Sequence, residues 1–370
     1  MNEATRRIAL VLPDLRFGGG QRVFMELARQ FRGRGYQVDI LNLTGDGELA
    51  SEVPDGVGYK PLTNHGARTS IGLIAKALPP LIRYLRTARP DVIFSSMTGT
   101  NLLTVLAHAC TGGQERLVVR EAAALINTRG LVTRGLMRML YPRADAVLAV
   151  SAGVSNDLKR LGIDPSIVHV IHNPIDAERV RTLAALARPL PTSSEAPFVI
   201  TIGRLTIQKD HGTLLHAFAS SELRLTHRLI IVGEGVQREH LVALARKLGI
   251  ENQVELVGSL VNPYPILERA ALFVLSSRWE GYPNVLLEAL ALGVPVVATD
   301  CPSGPRELLQ DGRYGRLAPV GDHLALARAM DDELQEPARH RDEVIAAHQP
   351  RLVAQRYLAL IDGFEIGGEE

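Results

Sequence analysis

Cysteine is scarce in this chain of 370 residues: only Cys110 and Cys301 occur, far apart in sequence. That excludes a disulfide framework and points to a reduced, cytoplasmic setting. No excess of charge marks the whole, with 41 Lys and Arg against 40 Asp and Glu, which argues against a general nucleic-acid binder. Long apolar runs are missing as well. None reaches the ~18 residues of a membrane span, and the opening Met1-Asn2-Glu3-Ala4-Thr5-Arg6-Arg7 lacks the apolar core of a secretion signal. The histidines stand singly, without metal-ligand spacing, and no Asp-x-Asp-like site occurs in a supporting context, so no metal is expected. Low-complexity tracts are absent too.

What the chain does contain is length and alternation. It exceeds what one hydrophobic core usually organises, so two domains of roughly 180 residues are the prior. Charge is divided along it. Residues 1–180 carry 22 Lys and Arg against 16 Asp and Glu, leaving 19 against 24 for the rest, and from Lys60 to Arg143 the count is 12 against 3. Arginine-rich solvated helices would give this, and so would a face for an anionic membrane or acceptor.

Short apolar runs at Ile8–Leu12, Val38–Leu43, Val92–Ser95, Leu117–Val119, Val147–Val150 and Val168–Ile171 read as buried parallel strands between segments of helical period. The same alternation resumes at Phe198–Ile202, Leu229–Val232, Val254–Val257, Phe273–Leu275 and Pro295–Ala298. Between the halves, residues 186–197 include Arg188-Pro189-Leu190-Pro191 and read as a linker, proline-rich and without period. Strand, helix, strand repeated with short loops is the doubly wound α/β pattern.

Two helical segments of the first half carry most of its charge. Ile71 to Arg89 sets Ile74, Leu78, Leu81 and Leu85 at core spacing beside Lys76, Arg83, Arg86 and Arg89. Leu131 to Arg143 mixes Leu136, Met137, Met139 and Leu140 with Arg134, Arg138 and Arg143. Such helices suit a membrane surface, and core helices with arginine rims look the same.

The most informative stretch runs from Leu272 to Leu309. A buried strand stops at Ser276-Ser277, and Gly281-Tyr282-Pro283 turns the chain into a helix at Asn284-Val285. Gly293 ends that helix, a second strand follows, and Ser303-Gly304-Pro305 opens another helix. Two helix N-termini at one sheet edge make an anion-binding geometry. Glu280 and Glu288 flank the first junction from different elements, so both can face one crevice, and carboxylates accept hydrogen bonds from hydroxyl groups. A ligand that is part phosphate and part polyhydroxylated fits both halves.

Elsewhere, Gly18-Gly19-Gly20 joins a strand to a helix, where a backbone can approach a phosphate closely or merely pack tightly. After Gly203, Arg204 and Lys209 lie five positions apart on a loop and can converge on one diphosphate, Arg as a planar fork and Lys as a point charge. Gly233-Glu234-Gly235 repeats the glycine turn. Arg120 and Glu121 end another strand, either as crevice residues or as an internal ion pair.

The block Glu280-x7-Glu288, with Gly-Tyr-Pro-Asn between and Gly-Val-Pro-Val-Val-Ala-Thr-Asp after, resembles the signature of the retaining GT-B glycosyltransferases of family 4. The resemblance implies two Rossmann-like doubly wound parallel-sheet domains facing an interdomain cleft. An N-terminal acceptor domain would span 1–185 and a donor domain 198–349, with a last helix, 350–366, packing back on the first. It implies that Arg204 and Lys209 hold the diphosphate of a nucleotide-sugar, Glu280 the sugar hydroxyls, and Glu288 the ribose. Gly18, Gly19, Gly20, Gly203, Gly233, Gly281, Tyr282, Pro283, Asn284 and Val285 would line the donor. Many members carry a histidine near Glu121, where this chain has Arg-Glu-Ala-Ala-Ala.

The implied activity is a metal-independent, retaining, hexosyltransferase-type reaction without a cofactor. UDP is the favoured nucleotide, with GDP on the same scaffold as an alternative. Acceptors would be saccharides or lipid-linked glycans of the cell surface, reached from the cytoplasm with peripheral contact to the membrane's inner face. A nucleotide-sugar epimerase or hydrolase on the same fold, and a non-catalytic nucleotide-sugar-binding subunit, are the competing readings.

Overall fold

Runs that are apolar at every position, rather than at alternate ones, are satisfied only where both faces of a strand are covered, and that is how they fold here. The computed structural model describes residues 6–16, 18–45, 47–63, 70–125, 130–186, 196–338 and 342–362. Contacts divide the chain into two units, Met1–Pro174 with Pro350–Glu370, and Ile175–Gln349.

In the first unit, β1 (Arg7–Leu12), β2 (Gln37–Asn42), β3 (Gly58–Pro61), β4 (Val92–Ser96), β5 (Arg116–Glu121), β6 (Ala146–Ala149) and β7 (Val168–Val170) form one sheet. Its order is β3-β2-β1-β4-β5-β6-β7, parallel throughout. In the second, β8 (Phe198–Ile202), β9 (Arg228–Val232), β10 (Val254–Gly258), β11 (Leu272–Leu275), β12 (Val296–Thr299) and β13 (Arg316–Ala318) take the order β10-β9-β8-β11-β12-β13, again parallel. Chain order reverses at β1/β4 in one sheet and at β8/β11 in the other. Loops leaving the carboxyl ends of such a pair run to opposite faces, and the crevice between them is where open α/β sheets bind ligands.

Two strands carry no sequence signal. β3 contains Gly58, Lys60 and Pro61 and is half solvated, and β13 is three residues long; both are edge strands, which need little apolar surface. The helix read over Leu131 to Arg143 is Leu131–Leu140 followed by a tighter turn, Tyr141–Arg143, because Pro142 withholds an N–H from the α pattern.

The first unit's core forms around the helix Gly19–Gly33, whose Val23, Phe24, Leu27, Ala28 and Phe31 recur three and four apart and face the sheet. The helix Pro350–Asp362 completes that core. Its Tyr357 ring centroid lies 5.5 Å from that of Phe94 and 6.5 Å from that of Phe31. Residues 363–366 of the expected helix lie outside the described ones.

The sequence put the first domain's end at residue 185, but the helix Ala177–Ala184 belongs to the second unit. There Arg181 Nε donates to Ala291 O at 3.1 Å, and Asn262 Nδ2 donates to Leu183 O at 2.8 Å. Composition marks where proline and small polar residues gather, whereas the division follows contacts and falls after Asn173-Pro174. Within the 186–197 stretch, 187–195 lie outside the described residues. Among the described residues no helix is long and apolar enough to cross a membrane.

Candidate active site

At the switch point of the second sheet, β8 leads into Gly203 to Asp210 and β11 into Ser276 to Pro283. Four hydrogen bonds join the two loops. Ser276 Oγ donates to Lys209 O at 2.8 Å, the Arg278 N–H to Gln208 O at 2.8 Å, Gln208 Nε2 to Trp279 O at 3.0 Å, and Arg278 Nε to Asp210 Oδ2 at 2.8 Å. So registered, Lys209 Nζ meets Glu280 Oε1 at 2.5 Å, and Ser277 Oγ donates to the same oxygen at 2.6 Å. The lysine side chain is 16% exposed and the glutamate's 8%. Removing one member of a pair so withdrawn from water typically costs about 3–5 kcal/mol, against about 0–1 for a surface pair.

Backbone contacts hold the loop that carries the cations. The Gly203 N–H donates to Val232 O at 2.9 Å, the Leu205 N–H to Glu234 O at 2.9 Å, and the Gly233 N–H to Gly258 O at 2.8 Å. Gly233 has φ +145, and a Cβ there would stand 2.0 Å from Gly203 O, so the approach admits only glycine. Arg204 is exposed, and among the described residues its guanidinium pairs with no carboxylate. The two cations of the loop therefore differ: Lys209 is already matched to a carboxylate, while Arg204 faces water.

The Gly281-Tyr282-Pro283 turn delivers the chain into the helix Asn284–Ala291, whose N-terminus has no side-chain cap. Dipole and N–H groups favour an anion there. Gly304, at φ +93, braces the turn from the next junction: a Cβ would stand 2.6 Å from Pro283 Cδ and 3.1 Å from Gly281 O. Thr299 Oγ1 donates to Ser277 O at 2.5 Å, tying the end of β12 to the same loop. Tyr282 is buried, its hydroxyl bonded to His348 Nε2; burial, reinforced by the charge of Glu307, pushes its phenol well above the ordinary value. Glu288 accepts from the Tyr264 hydroxyl at 3.2 Å. Cys301 lies close by, its thiol pushed up to about 12 by burial and then by the charge of Glu280.

In the first unit the glycine loop follows β1. A Cβ at Gly18 would meet only the tip of Gln21, with its Oε1 2.4 Å away, and a Cβ at Gly20 nothing within 4 Å. Packing among the described residues thus does not demand glycine at Gly20; Gly19 is exposed at the start of its helix. Arg120 and Glu121 are both fully buried but form no ion pair with each other. Successive strand residues point to opposite faces. Arg120 donates to Ser96 Oγ at 2.9 Å and to Asn173 Oδ1 at 2.5 Å, while Glu121 accepts from Thr98 Oγ1 at 3.0 Å, from Asn101 Nδ2 at 3.2 Å and from the Tyr141 hydroxyl. The internal-pair alternative for these two residues is thereby corrected.

Residues that sequence reasoning passed over include Ser277 and Gln208, which lay inside the motifs already singled out. Tyr264 and His348 carried no local signal, because each acts on a partner many positions away. Among the described residues no group of three or more His, Cys, Asp or Glu is placed to hold a metal ion.

Two doubly wound parallel sheets with this site at the second switch point define a GT-B glycosyltransferase. The backbone superposes on the Anabaena protein HepE in complex with UDP-glucose with a TM-score of 0.80, at 19% identity, over 97% of this chain and 100% of that one. It superposes on the lipopolysaccharide outer core galactosyltransferase WaaB with a TM-score of 0.73, at 20% identity, over 96% and 99%. The model of the glycosyl transferases group 1 matches residues 185–349, and that of glycosyltransferase family 4 matches residues 17–179. The chain belongs to the group 1 glycosyltransferases.

It is 32% identical over 263 residues to the N-acetylgalactosamine-N,N'-diacetylbacillosaminyl-diphospho-undecaprenol 4-alpha-N-acetylgalactosaminyltransferase of Campylobacter jejuni, covering 68% of this chain and 70% of that protein. To the lipopolysaccharide 1,6-galactosyltransferase of Escherichia coli it is 24% identical over 312 residues, 83% and 82% of the two chains.

Proposed function

We propose that the chain transfers a hexose-type sugar from a nucleotide-diphosphate sugar, with UDP as the nucleotide, to a lipid-linked or saccharide acceptor of the cell surface, with retention and without a metal. The observation that carries this is the Lys209, Glu280 and Ser277 cluster at the β8/β11 switch point, with Arg204 on the same loop and an uncapped helix start beside it. Cleaving a glycosyl phosphate leaves negative charge on the diphosphate while the sugar becomes cationic. Rate is gained by cations and N–H dipoles placed where that charge grows. Lys209, Arg204 and the Asn284 helix supply them, and Glu280 accepts from sugar hydroxyls.

Glu280 is bonded to Lys209 and Ser277 and assigned to the sugar hydroxyls rather than to covalent attack, so the favoured course is same-face displacement, in which the departing phosphate oxygen takes the acceptor's proton. The UDP-glucose complex of HepE supports the choice of donor, and the diphospho-undecaprenol substrate named for the C. jejuni relative supports the acceptor class. The test is whether donor turnover requires an added acceptor. Mass spectrometry should find no glycosyl adduct on Glu280, and Glu280→Gln should lose turnover; acceptor-independent turnover would support a hydrolase or epimerase instead.

Contact with an anionic bilayer is part of the proposal. On the helix Leu131–Leu140, Leu131, Val132 and Met139 are exposed, and Leu131, Arg134 and Arg138 line a cleft of about 470 Å³. Exposed apolar side chains flanked by arginines suit the lipid interface. Leu131→Glu with Val132→Glu should abolish co-sedimentation with phosphatidylserine-containing vesicles, and unchanged sedimentation would remove this part. Arg129, which precedes this helix in the same basic stretch, lies outside the described residues.

A further inference from the structure

Tyr282 lies in the turn that opens the Asn284 helix, and its hydroxyl is held by a residue no motif singles out. His348 Nε2 is its partner, the two rings lie 5.6 Å apart with planes at 27°, and both side chains are buried. His348 Nδ1 stands 2.6 Å from Val344 O. A carbonyl can only accept, so Nδ1 carries a hydrogen, and in the neutral ring Nε2 is then the acceptor and the phenol donates.

The backbone of the same histidine does something else. His348 O accepts from the Ile175 N–H at 2.8 Å. Ile175 is the first residue of the second unit and Gln349 the last, so this bond ties the chain where it enters the unit to the chain where it leaves. Two positions before Ile175, Asn173 is fixed within the first unit by Arg120, whose guanidinium also bonds Ser96 and lies over the Phe24 ring, 5.7 Å from its centroid. The crossing segment Asn173-Pro174-Ile175 is thus held at both ends, and its second anchor is the residue that holds Tyr282.

We infer that His348 is a positioning residue that couples the donor turn to the chain crossing: its ring fixes Tyr282 and its carbonyl fixes Ile175, so that a donor seated on residues 281–284 restrains residues 173–177. The inference rests on the donor-site reading above. A ligand that orders one end of a buried, fully bonded element lowers the freedom of the other, and such coupling is reciprocal.

Hydrogen exchange read by mass spectrometry on the full chain, with and without UDP, tests it. In the wild type UDP should slow exchange in peptides covering both 281–288 and 173–177, by about fivefold at the second, the lower end of common coupling strengths. His348→Leu should keep the slowing at 281–288 and lose it at 173–177, and His348→Gln, which restores an acceptor for the phenol, should recover it. Tyr282→Phe deletes the hydroxyl alone and should behave as His348→Leu does, which covers the case in which the leucine variant does not fold. A purely structural role would lower stability without separating the two regions. Undiminished slowing at 173–177 in the variants, or slowing confined to 281–288 in the wild type, overturns the coupling. If UDP slows neither region in the wild type, the donor-site reading fails and the coupling falls with it.

Discussion

Replacing Glu280 by glutamine removes one charge from a pair that water hardly reaches, and the consequences for stability and for ligand binding have opposite signs. Lys209 Nζ lies 2.5 Å from Glu280 Oε1, and Ser277 donates to the same oxygen. Glutamine keeps the length and an acceptor oxygen, so the ammonium exchanges a charged partner for a neutral one. Hydrogen bonds to charged groups contribute about 1.5–3 kcal/mol and neutral ones about 0.5–1.5, which puts the loss near 1–2 kcal/mol, below that of outright removal. For a unit of this size each kcal/mol moves the melting temperature by roughly 2–4 °C, so the second unit's midpoint should fall by about 2–8 °C.

Binding should move the other way. In the wild type Lys209 already has an anion; beside glutamine its charge is uncompensated, and an incoming diphosphate gains what the carboxylate gave up. If half the lost stabilisation is recovered, UDP binds tighter by about 0.5–1 kcal/mol, roughly two- to fivefold. Turnover of the sugar nucleotide falls nonetheless, on the order of 10²-fold, since the sugar hydroxyls lose a charged acceptor in the transition state. Trp279, the only tryptophan in the chain, adjoins Glu280 and gives a fluorescence signal for both melting and titration. UDP affinity that drops together with the melting temperature would refute the reasoning, because it would make the pair scaffolding rather than a diphosphate site.

His211 is buried at the start of its helix, its Nδ1 without a hydrogen-bond partner among the described residues, and burial, helped by the charge of Lys209, lowers its pKa to about 4. The unfolded chain takes up this proton below about 6.5 and the folded chain resists it, so stability from this group is intact at neutral pH and is lost as pH falls from about 6.5 toward 4, on the order of 3 kcal/mol in all. Urea midpoints at pH 7.5 and 4.5 should converge more closely in His211→Leu than in the wild type, and identical pH dependence would contradict this. A disulfide reagent should titrate one thiol in the native protein, the exposed Cys110, and both after denaturation; two fast thiols would mean Cys301 is not buried as found. Gly304→Ala should cost about 1–3 kcal/mol from its left-handed backbone alone and blunt the thermal shift with UDP. Gly20→Ala, with nothing to strike within 4 Å, should leave the melting temperature unchanged or raised while turnover falls. The same thermal and activity assays check both glycine variants, and a destabilised Gly20→Ala would mean that packing, not ligand approach, requires the glycine.

The central strands were legible because each holds a run of consecutive apolar residues, which a strand covered on both faces requires. The edges were not, since β3 and β13 need no such run. The loops bearing Arg204, Lys209 and Glu280 were legible from their glycines, their charges and the Glu280-x7-Glu288 block, whereas the switch point that brings them together came only with the strand order. What could not be read was which cation meets a carboxylate, since Lys209 and Glu280 lie 71 positions apart and the contact depends on the register set by Ser276, Gln208 and Arg278. Arg120 and Glu121 are a different lesson. Their placement on opposite faces follows from the two-residue period of a strand, so an internal pair was excludable from sequence. Tyr264 and His348 were beyond reach, because a buried hydroxyl or imidazole acting on a distant turn leaves no local pattern.

The helix Pro350–Asp362 brings a segment from beyond the second unit into the core begun at Ile8. During synthesis the strands of the first sheet emerge early, yet Phe31 and Phe94 lack the ring of Tyr357 until the entire second unit has been made. The second unit, being an uninterrupted segment, has all its residues before that helix appears. The nascent first unit therefore waits with an uncovered aromatic face while its partner matures, which makes it the segment most in need of chaperone protection on the ribosome.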